Sequence, residues 1–355
     1  MNTAVRIVED FGAIETEASG WKLLGEDANS PMHQYAWVKA CSTAFAGFGK
    51  LHMVVVGTDE PGAVGPLVVR GRTITRIECL GVDELYEPTD FPHSDPAALM
   101  CLANTLVESG HPLVLRRVLA DSPVVTAIRK AFRSHGIVIK RPATGYPWIL
   151  LDSSWEEPEN KLSPSRRSSL KRAMRRAEKI GWVEYEIISP KPPELKALLN
   201  QSFEIEAASW KGRNGSALLS DEHRRRFFEH YAALSSERGF LRLCFLRIGG
   251  RAVATQIAVE SNGGFWLLKV GYDDVFSRCS PGNLLMIETL RYAACRGLRT
   301  YEFLGSTEPW TEIWTEQVRP CVSVWVYPKN MRGITALAWD ALRFGWERLN
   351  RPFNF

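Results

Sequence analysis

The sequence predicts a two-lobed α/β (α+β) protein, each lobe a mostly antiparallel mixed sheet flanked by helices. Three observations carry this. The chain has 355 residues, enough for two domains. Short runs of β-branched and apolar residues alternate with segments of helical period in both halves. Each half also closes on the same order of elements, strand–helix–strand, although no residue-level repeat is visible.

In the first lobe, residues 1–152, the segment 21–46 reads as helical, broken by a turn at Asn29-Ser30-Pro31. LHMVVVG (51–57) and GPLVVRG (65–71) flank a Gly/Pro turn and predict a strand pair, with ITRIECLG (74–81) as a third strand. A helix over 98–110, a strand over 112–118 and a helix over 123–136 follow, both helices stopped by glycine. YPWILLD (146–152) closes the lobe as a strand, and SSWEEPENKLS (153–163) reads as a linker.

The second lobe, 153–330, opens with a basic helix that starts at Ser163-Pro164 and ends before Gly181. A strand (183–189) and helices over 193–212 and 221–239 come next. LRLCFLRIGG and RAVATQIAVES meet at Gly249-Gly250, a strong hairpin signal. A strand (264–273), a helix (282–297) and strands at 300–305 and 322–328 complete it, and residues 331–355 form a terminal amphipathic helical segment.

Composition narrows the class. Hydrophobic residues are 45% and charged residues 24%, so a packed globular chain is expected. The opening residues lack a basic segment followed by an apolar core, and no window approaches a membrane-spanning length. The seven cysteines are scattered with no CxxC pair, which predicts reduced thiols, a cytoplasmic setting and no metal site. Net charge is only +4, yet residues 161–180 hold eight basic residues against the single acid Glu178. The positive field is therefore local. Arg166, Arg167, Lys171, Arg172, Arg175 and Arg176 either face solvent or meet a polyanion such as tRNA, a nucleotide tail or an anionic membrane surface.

Three groups of residues have the chemistry of a site. In FSRCSPGNLL (276–285), Pro281 lacks an N–H and Gly282 admits a ligand to the backbone. Arg278, Ser280, Gly282, Asn283 and Leu284 thus form a candidate pyrophosphate grip at a helix start, or a plain helix start. In EIEAASWKG (204–212), Glu206 falls in the middle of the apolar stripe of its helix while Glu204 points to solvent. A desolvated carboxylate there is a candidate general base, or a structural acid bound to an amide or an arginine; Trp210 and Lys211 are candidate walls of the pocket. In the third group, Glu302 alternates with Tyr301 and Phe303 and is followed by Gly305, Trp310 and Trp314. Glu302 is a second candidate base, or the partner of Arg299 or Arg319. Tyr272, a candidate acid, and Asp273 end the preceding strand and are expected near the same point.

The pieces LSPSRRSSLKRAMRRAEKIG, SWKGRNGSAL, RAVATQIAVE, GYDDVFSRCSPGNLL and YEFLGSTEPW, in this order over about 150 residues, resemble the CelD-like (BioF-like) acetyltransferase domain. This is a branch of the GNAT acyltransferases related to the Fem peptidyltransferases. The N-terminal run from SPMHQYAW to ECLGVDELYEPTDF is similar to the companion lobe, so the resemblance implies tandem GNAT-like lobes. Trp210, Lys211, Tyr272, Ser280, Pro281, Gly282 and Gly305 match its recurring motifs. Glu302 stands where the family has aspartate, and Thr311 where it has a lysine after the aromatic residue. In the phosphate loop Arg278 fits, but Pro281 and Asn283 replace small residues.

The resemblance implies an acyl-CoA donor such as acetyl-CoA, with an amine or hydroxyl acceptor, as in assembly of polysaccharide or envelope precursors. The Fem relation implies aminoacyl-tRNA instead. A third expectation, an inactive adaptor in polysaccharide synthesis, follows from the altered phosphate loop.

Overall fold

The computed structural model describes residues 4–349, apart from 18, 19, 22, 23, 25–29 and 59, and the side chains of these except those of 210 and 344–349. Most of the helix expected at 21–29 therefore lies outside the described residues. The chain divides into two compact units, 1–28 with 32–144 and 320–355, and 29–31 with 145–319.

The first unit runs β1 (Val5–Val8), α1 (Tyr35–Phe45), β2 (Lys50–Leu51), β3 (Met53–Val56), β4 (Ala63–Gly65), β5 (Leu67–Arg70) and β6 (Arg76–Cys79). It continues with α2 (Val82–Leu85), α3 (Pro96–Glu108), β7 (Leu113–Leu119), α4 (Pro123–Ala131) and the start of β8 (Gly136–Leu150). Capping explains where the helices begin. Asp95 accepts the N–H groups of Ala97 and Ala98 at 2.8 and 2.9 Å, and Ser122 accepts that of Val124; proline occupies the first turn in both.

In the second unit the elements are α5 (Pro164–Ile180), β9 (Val183–Ile188), α6 (Pro192–Ala207), α7 (Trp210–Arg213) and α8 (Glu222–Glu237). There follow β10 (Leu241–Ile248), β11 (Arg251–Ser261), β12 (Gly264–Tyr272), α9 (Pro281–Cys295), β13 (Thr300–Glu302) and the start of β14 (Val318–Pro328). The last helix, α10 (Met331–Leu349), belongs to the first unit.

The sheet of the second unit has the order β8-β13-β12-β11-β10-β9. Its pairs are antiparallel except β12 with β13. A helical crossover, α9, joins that parallel pair. The hairpin of β10 and β11 turns at Gly249 and Gly250, whose φ of 59° and 83° fit a tight turn of the kind that two-residue loops need. Leu284, Leu285, Ile287 and Leu290 of α9 are buried in one core with Leu246, Val253 and Phe265 of the sheet. The first unit has its own core, built by α3 and α4 with β3, β6, β7 and β14, and its own parallel pair, β6 with β7. The fold is α/β with mixed sheets, as the sequence predicts.

Several expectations change. The strand pair expected at 51–57 and 65–71 forms in one antiparallel register, Leu51 with Val68 and Val54 with Gly65, but it breaks at His52 and Pro66 into β2–β5 and β3–β4, and β5 takes β6 as its other partner. The strand expected at 146–152 begins at Gly136, and the helix expected over 193–212 breaks at Ala208-Ser209. The boundaries 153 and 330 also move. The chain leaves the first unit inside β8 and returns inside β14, whose residues Cys321–Val326 pair with β7.

The terminal helix is tied down by one buried ion pair, Asp340 accepting both Arg76 guanidinium nitrogens at 2.8 and 2.9 Å and the Tyr327 hydroxyl at 2.7 Å. Asp340→Ala leaves the Arg76 charge buried and unpaired. We expect a loss of about 3–5 kcal/mol in urea denaturation and faster proteolytic cleavage after Lys329.

Candidate active site

The site is built on the far end of β12. β13 is three residues long and, on β12, reaches Gly264, Phe265 and Trp266, so β12 runs on to Tyr272 with no strand of the described residues beside that edge. A register shift opposite Ile257 and Ala258 leaves Leu268 as a bulge on β12, just past the residues that pair with β13. The antiparallel pattern then decides which backbone groups face the open edge. The Asp273 N–H donates to the Val253 carbonyl at 2.8 Å, so in the alternating ladder Gly271 also bonds β11, while Val270 and Tyr272 point their N–H and C=O groups away from it.

Helix α6 crosses the sheet at this point. A Cβ on Gly271 would stand 2.6 Å from the Glu206 Cα, so only glycine lets the helix approach so closely. Ser202, one turn earlier on α6, accepts a hydrogen bond from the Thr255 hydroxyl at 2.9 Å. Glu206 is buried, at 2% exposure, and Glu204 is exposed, as their spacing predicts. The Glu206 Oε2 accepts the Leu218 N–H at 2.8 Å, while its Oε1 has no hydrogen bond and lies 3.4 Å from the Lys211 ammonium. Lys211 in turn donates to the Val270 carbonyl at 2.7 Å, reaching the open edge from the helix side. The sequence identified Glu206 and Lys211 separately, but not the Val270 carbonyl that joins them. The Trp210 side chain lies outside the described residues.

The start of α9 lies beside Tyr272. A Cβ on Gly282 would meet the Tyr272 ring at 3.5 Å, an ordinary contact. Ser280 has a left-handed backbone, φ 46°, and its carbonyl accepts the N–H groups of Asn283 and Leu284 at 3.0 and 3.1 Å. Pro281 offers no N–H. That leaves the Gly282 N–H to face a ligand, a narrower anion grip than a full glycine loop provides. Leu284 is buried in the core, and the Arg278 side chain is exposed.

Basic helix α5 packs on the turn Asp274–Cys279 that precedes α9, with Arg176 donating to the Arg278 carbonyl at 2.9 Å. Arg166 donates to the Ile313 carbonyl, and Arg172 to Ser168 and Ser169 of its own helix. Arg167, Lys171 and Arg175 have no ion pair among the described residues.

Glu302 lies elsewhere. It pairs in register with Trp266, six residues before Tyr272, which is roughly 20 Å along the strand. The expectation that Glu302, Tyr272 and Asp273 converge therefore fails, because so short a β13 reaches only the start of β12. Both Glu302 oxygens accept from Arg319, at 2.6 and 2.8 Å, and that guanidinium stacks 3.8 Å from the Trp148 ring. Asp273 caps the Asp274–Cys279 turn through the Val275 N–H and pairs with Arg251. Leu304 and Gly305 both have positive φ and turn the chain off β13.

Beyond that turn the Trp310 indole donates to Glu308 at 3.1 Å, and the Trp314 ring is buried with its N–H unpartnered. Thr311 is fully buried and closes a turn with Glu308, so the missing lysine is replaced by a structural hydroxyl.

The close approach at Gly271 has a measurable consequence. Gly271→Ala pushes α6 from the strand, and we expect a loss of about 1–3 kcal/mol in denaturant titrations, typical of overpacking. Gly215→Ala is the control for a general glycine effect, since its Cβ would meet nothing within 4 Å although its φ is positive.

Comparison with known proteins bears on the fold. Residues 164–312 match the acetyltransferase (GNAT) domain family model. No curated protein sequence matches the chain significantly. Among solved structures, the chain is similar to the C-terminal domain of a protein assigned as a lysylphosphatidylglycerol synthetase in Agrobacterium fabrum. The TM-score is 0.58 at 10% identity, covering 93% of this chain and 96% of that one. It is likewise similar to FemX, at TM-score 0.57 and 11% identity, covering 92% of this chain and 98% of that one. L-PGS from Bacillus licheniformis follows at TM-score 0.54 and 11% identity, with 89% and 92% covered. At such identities the likeness is one of fold. The family match spans α5 to the loop after β13, so the second unit carries an acetyltransferase (GNAT) domain, and the protein is an acyltransferase.

Proposed function

We propose that the second unit transfers an acyl group from acyl-CoA to an amine or hydroxyl acceptor, at the open edge of β12. The observation that carries this is the meeting of that edge with the start of α9. Val270 and Tyr272 offer backbone groups that pair with an extended, amide-bearing chain, as an added strand would. One helix start and a basic helix next to it suit the phosphates at the other end of such a donor. An N–H of this edge would also stabilise the oxyanion formed when the acceptor attacks the thioester carbonyl.

In this reading the acceptor nitrogen bonds the carbonyl carbon, the C–S bond breaks, and the amine proton passes to the Glu206 Oε1. The leaving thiolate takes a proton from the Tyr272 phenol. Lys211 is a positioning residue, holding both Glu206 and the Val270 carbonyl. Glu302, with both oxygens on Arg319, is assigned to structure.

Glu206→Gln should lower turnover about 10²–10⁴-fold with the fold intact. Turnover close to wild type would return the proton to solvent. Glu302→Gln should lower stability and leave the turnover of the folded enzyme close to wild type. Gly282→Asp brings a carboxylate to the helix start without a clash. Calorimetric affinity for coenzyme A should fall at least about tenfold; an unchanged affinity would remove α9 from the donor site.

A second reading, aminoacyl-tRNA as donor, is favoured by the unpaired cations of α5. Binding would then weaken steeply with salt, Arg175→Glu with Lys171→Glu would flatten that dependence, and ribonuclease would abolish activity.

A further inference from the structure

Helix α5 shows solvent a face of one sign. At 100° per residue, Lys171, Arg175, Lys179, Arg172 and Arg176 share an arc of about 140°, and all five are exposed. The opposite side, which the second unit buries, carries Ala173 and Ala177. None of the five cations meets a carboxylate among the described residues. Arg172 bonds the hydroxyls of Ser168 and Ser169, and Arg176 the Arg278 carbonyl. These partners are neutral, so the charge of the face stays uncompensated. Glu178, the one acid of the helix, lies at the margin of the arc beside Lys171.

Where the cations stop, apolar side chains continue the face. Ile180, about 40° beyond Arg176 on the helix, is 59% exposed, and Trp182 is 62% exposed. The backbone between them is held. The Gly181 N–H closes the helix on the Ala177 carbonyl at 3.1 Å, and the Trp182 carbonyl accepts the Gly249 N–H of the β10–β11 turn at 2.8 Å. That turn has no side chain to cover the indole, since Gly249 and Gly250 form it. A basic helical face that ends in exposed aliphatic and indole side chains has the composition of a helix lying in a lipid interface. Nucleic acid would use the cations but leave Ile180 in water, and no aromatic residue stands among the cations for bases to stack on.

We propose that α5 and residues 180–182 at its end form a docking surface for an anionic phospholipid bilayer, the cations lying against the headgroups and the Ile180 and Trp182 side chains reaching the acyl boundary. The proposal stands apart from the choice of donor, because it needs neither the open edge of β12 nor the Gly282 N–H.

The test is co-sedimentation of the full chain, treated with ribonuclease, with extruded phosphatidylcholine vesicles that contain or lack phosphatidylglycerol. Binding is expected only with phosphatidylglycerol, and it should weaken with salt. Each cation near such a surface strengthens binding about fivefold, so Lys171→Glu with Arg175→Glu should lower apparent affinity at least about tenfold. Ile180→Ser with Trp182→Ser changes no charge and should lower it about tenfold as well. Both variants should keep the wild-type melting temperature, since these side chains are exposed; Lys179→Glu and Trp182→Ser alone serve where a double variant lowers it. No binding to anionic vesicles overturns the proposal. So does binding that loss of Ile180 and Trp182 leaves unchanged, which would mark adsorption of a polycation alone. Total tRNA that displaces the vesicles, and binds the serine variant as tightly as wild type, also overturns it, because the face then belongs to nucleic acid.

Discussion

The contact between α6 and β12 at Gly271 is the constraint on which the candidate site rests. Lacking a Cβ, this residue lets the helix backbone close onto the strand, which carries Glu206 to the sheet surface and Lys211 to the strand's far edge. The lysine then joins a buried carboxylate to the Val270 carbonyl. A backbone carbonyl at an unpaired strand edge would otherwise need water or another strand. Here a side chain covers one such group and leaves the neighbouring N–H groups of the same edge in place. The edge is open because β13 is short, and its geometry is held because the helix is close.

Two buried glutamates of the second unit, Glu206 and Glu302, show how surroundings separate residues of one type. Glu302 meets a guanidinium with both oxygens, inside a stack with Trp148, an arrangement that saturates the carboxylate and joins the strand ends. Glu206 meets one amide and, at longer range, one ammonium, which leaves an oxygen without a hydrogen bond. Basic helix α5 divides in the same way. Arg166 and Arg176 are used on backbone carbonyls of neighbouring loops, and other cations of the same helix are left for solvent or a ligand.

Much of this was legible in the chain. The helix starts at Pro96, Pro123 and Pro164 follow from capping residues adjacent to them, and the β10–β11 turn from two consecutive glycines. The burial of Glu206 and the exposure of Glu204 follow from helical period alone. Lys211 was recognisable by resemblance, but its role was not, because the carbonyl it binds belongs to Val270, 59 residues away. Neither was the failed convergence of Glu302 with Tyr272: a three-residue strand and a longer one look alike when Tyr301, Phe303 and Leu304 surround the acid.

By itself, then, the sequence determined the elements, their caps and the faces that each helix and strand can bury, since these depend on residues a few positions apart. Tertiary structure decided which edge of β12 stays open, which of two arginines meets Glu302, and which side of α10 turns inward. The physical reason is distance along the chain. Arg319 reaches Glu302 across 17 residues and Arg76 reaches Asp340 across 264. Once those ion pairs are buried, separating either one costs more than the local pattern can offset, so the Arg76–Asp340 pair fixes which side of α10 faces the first unit.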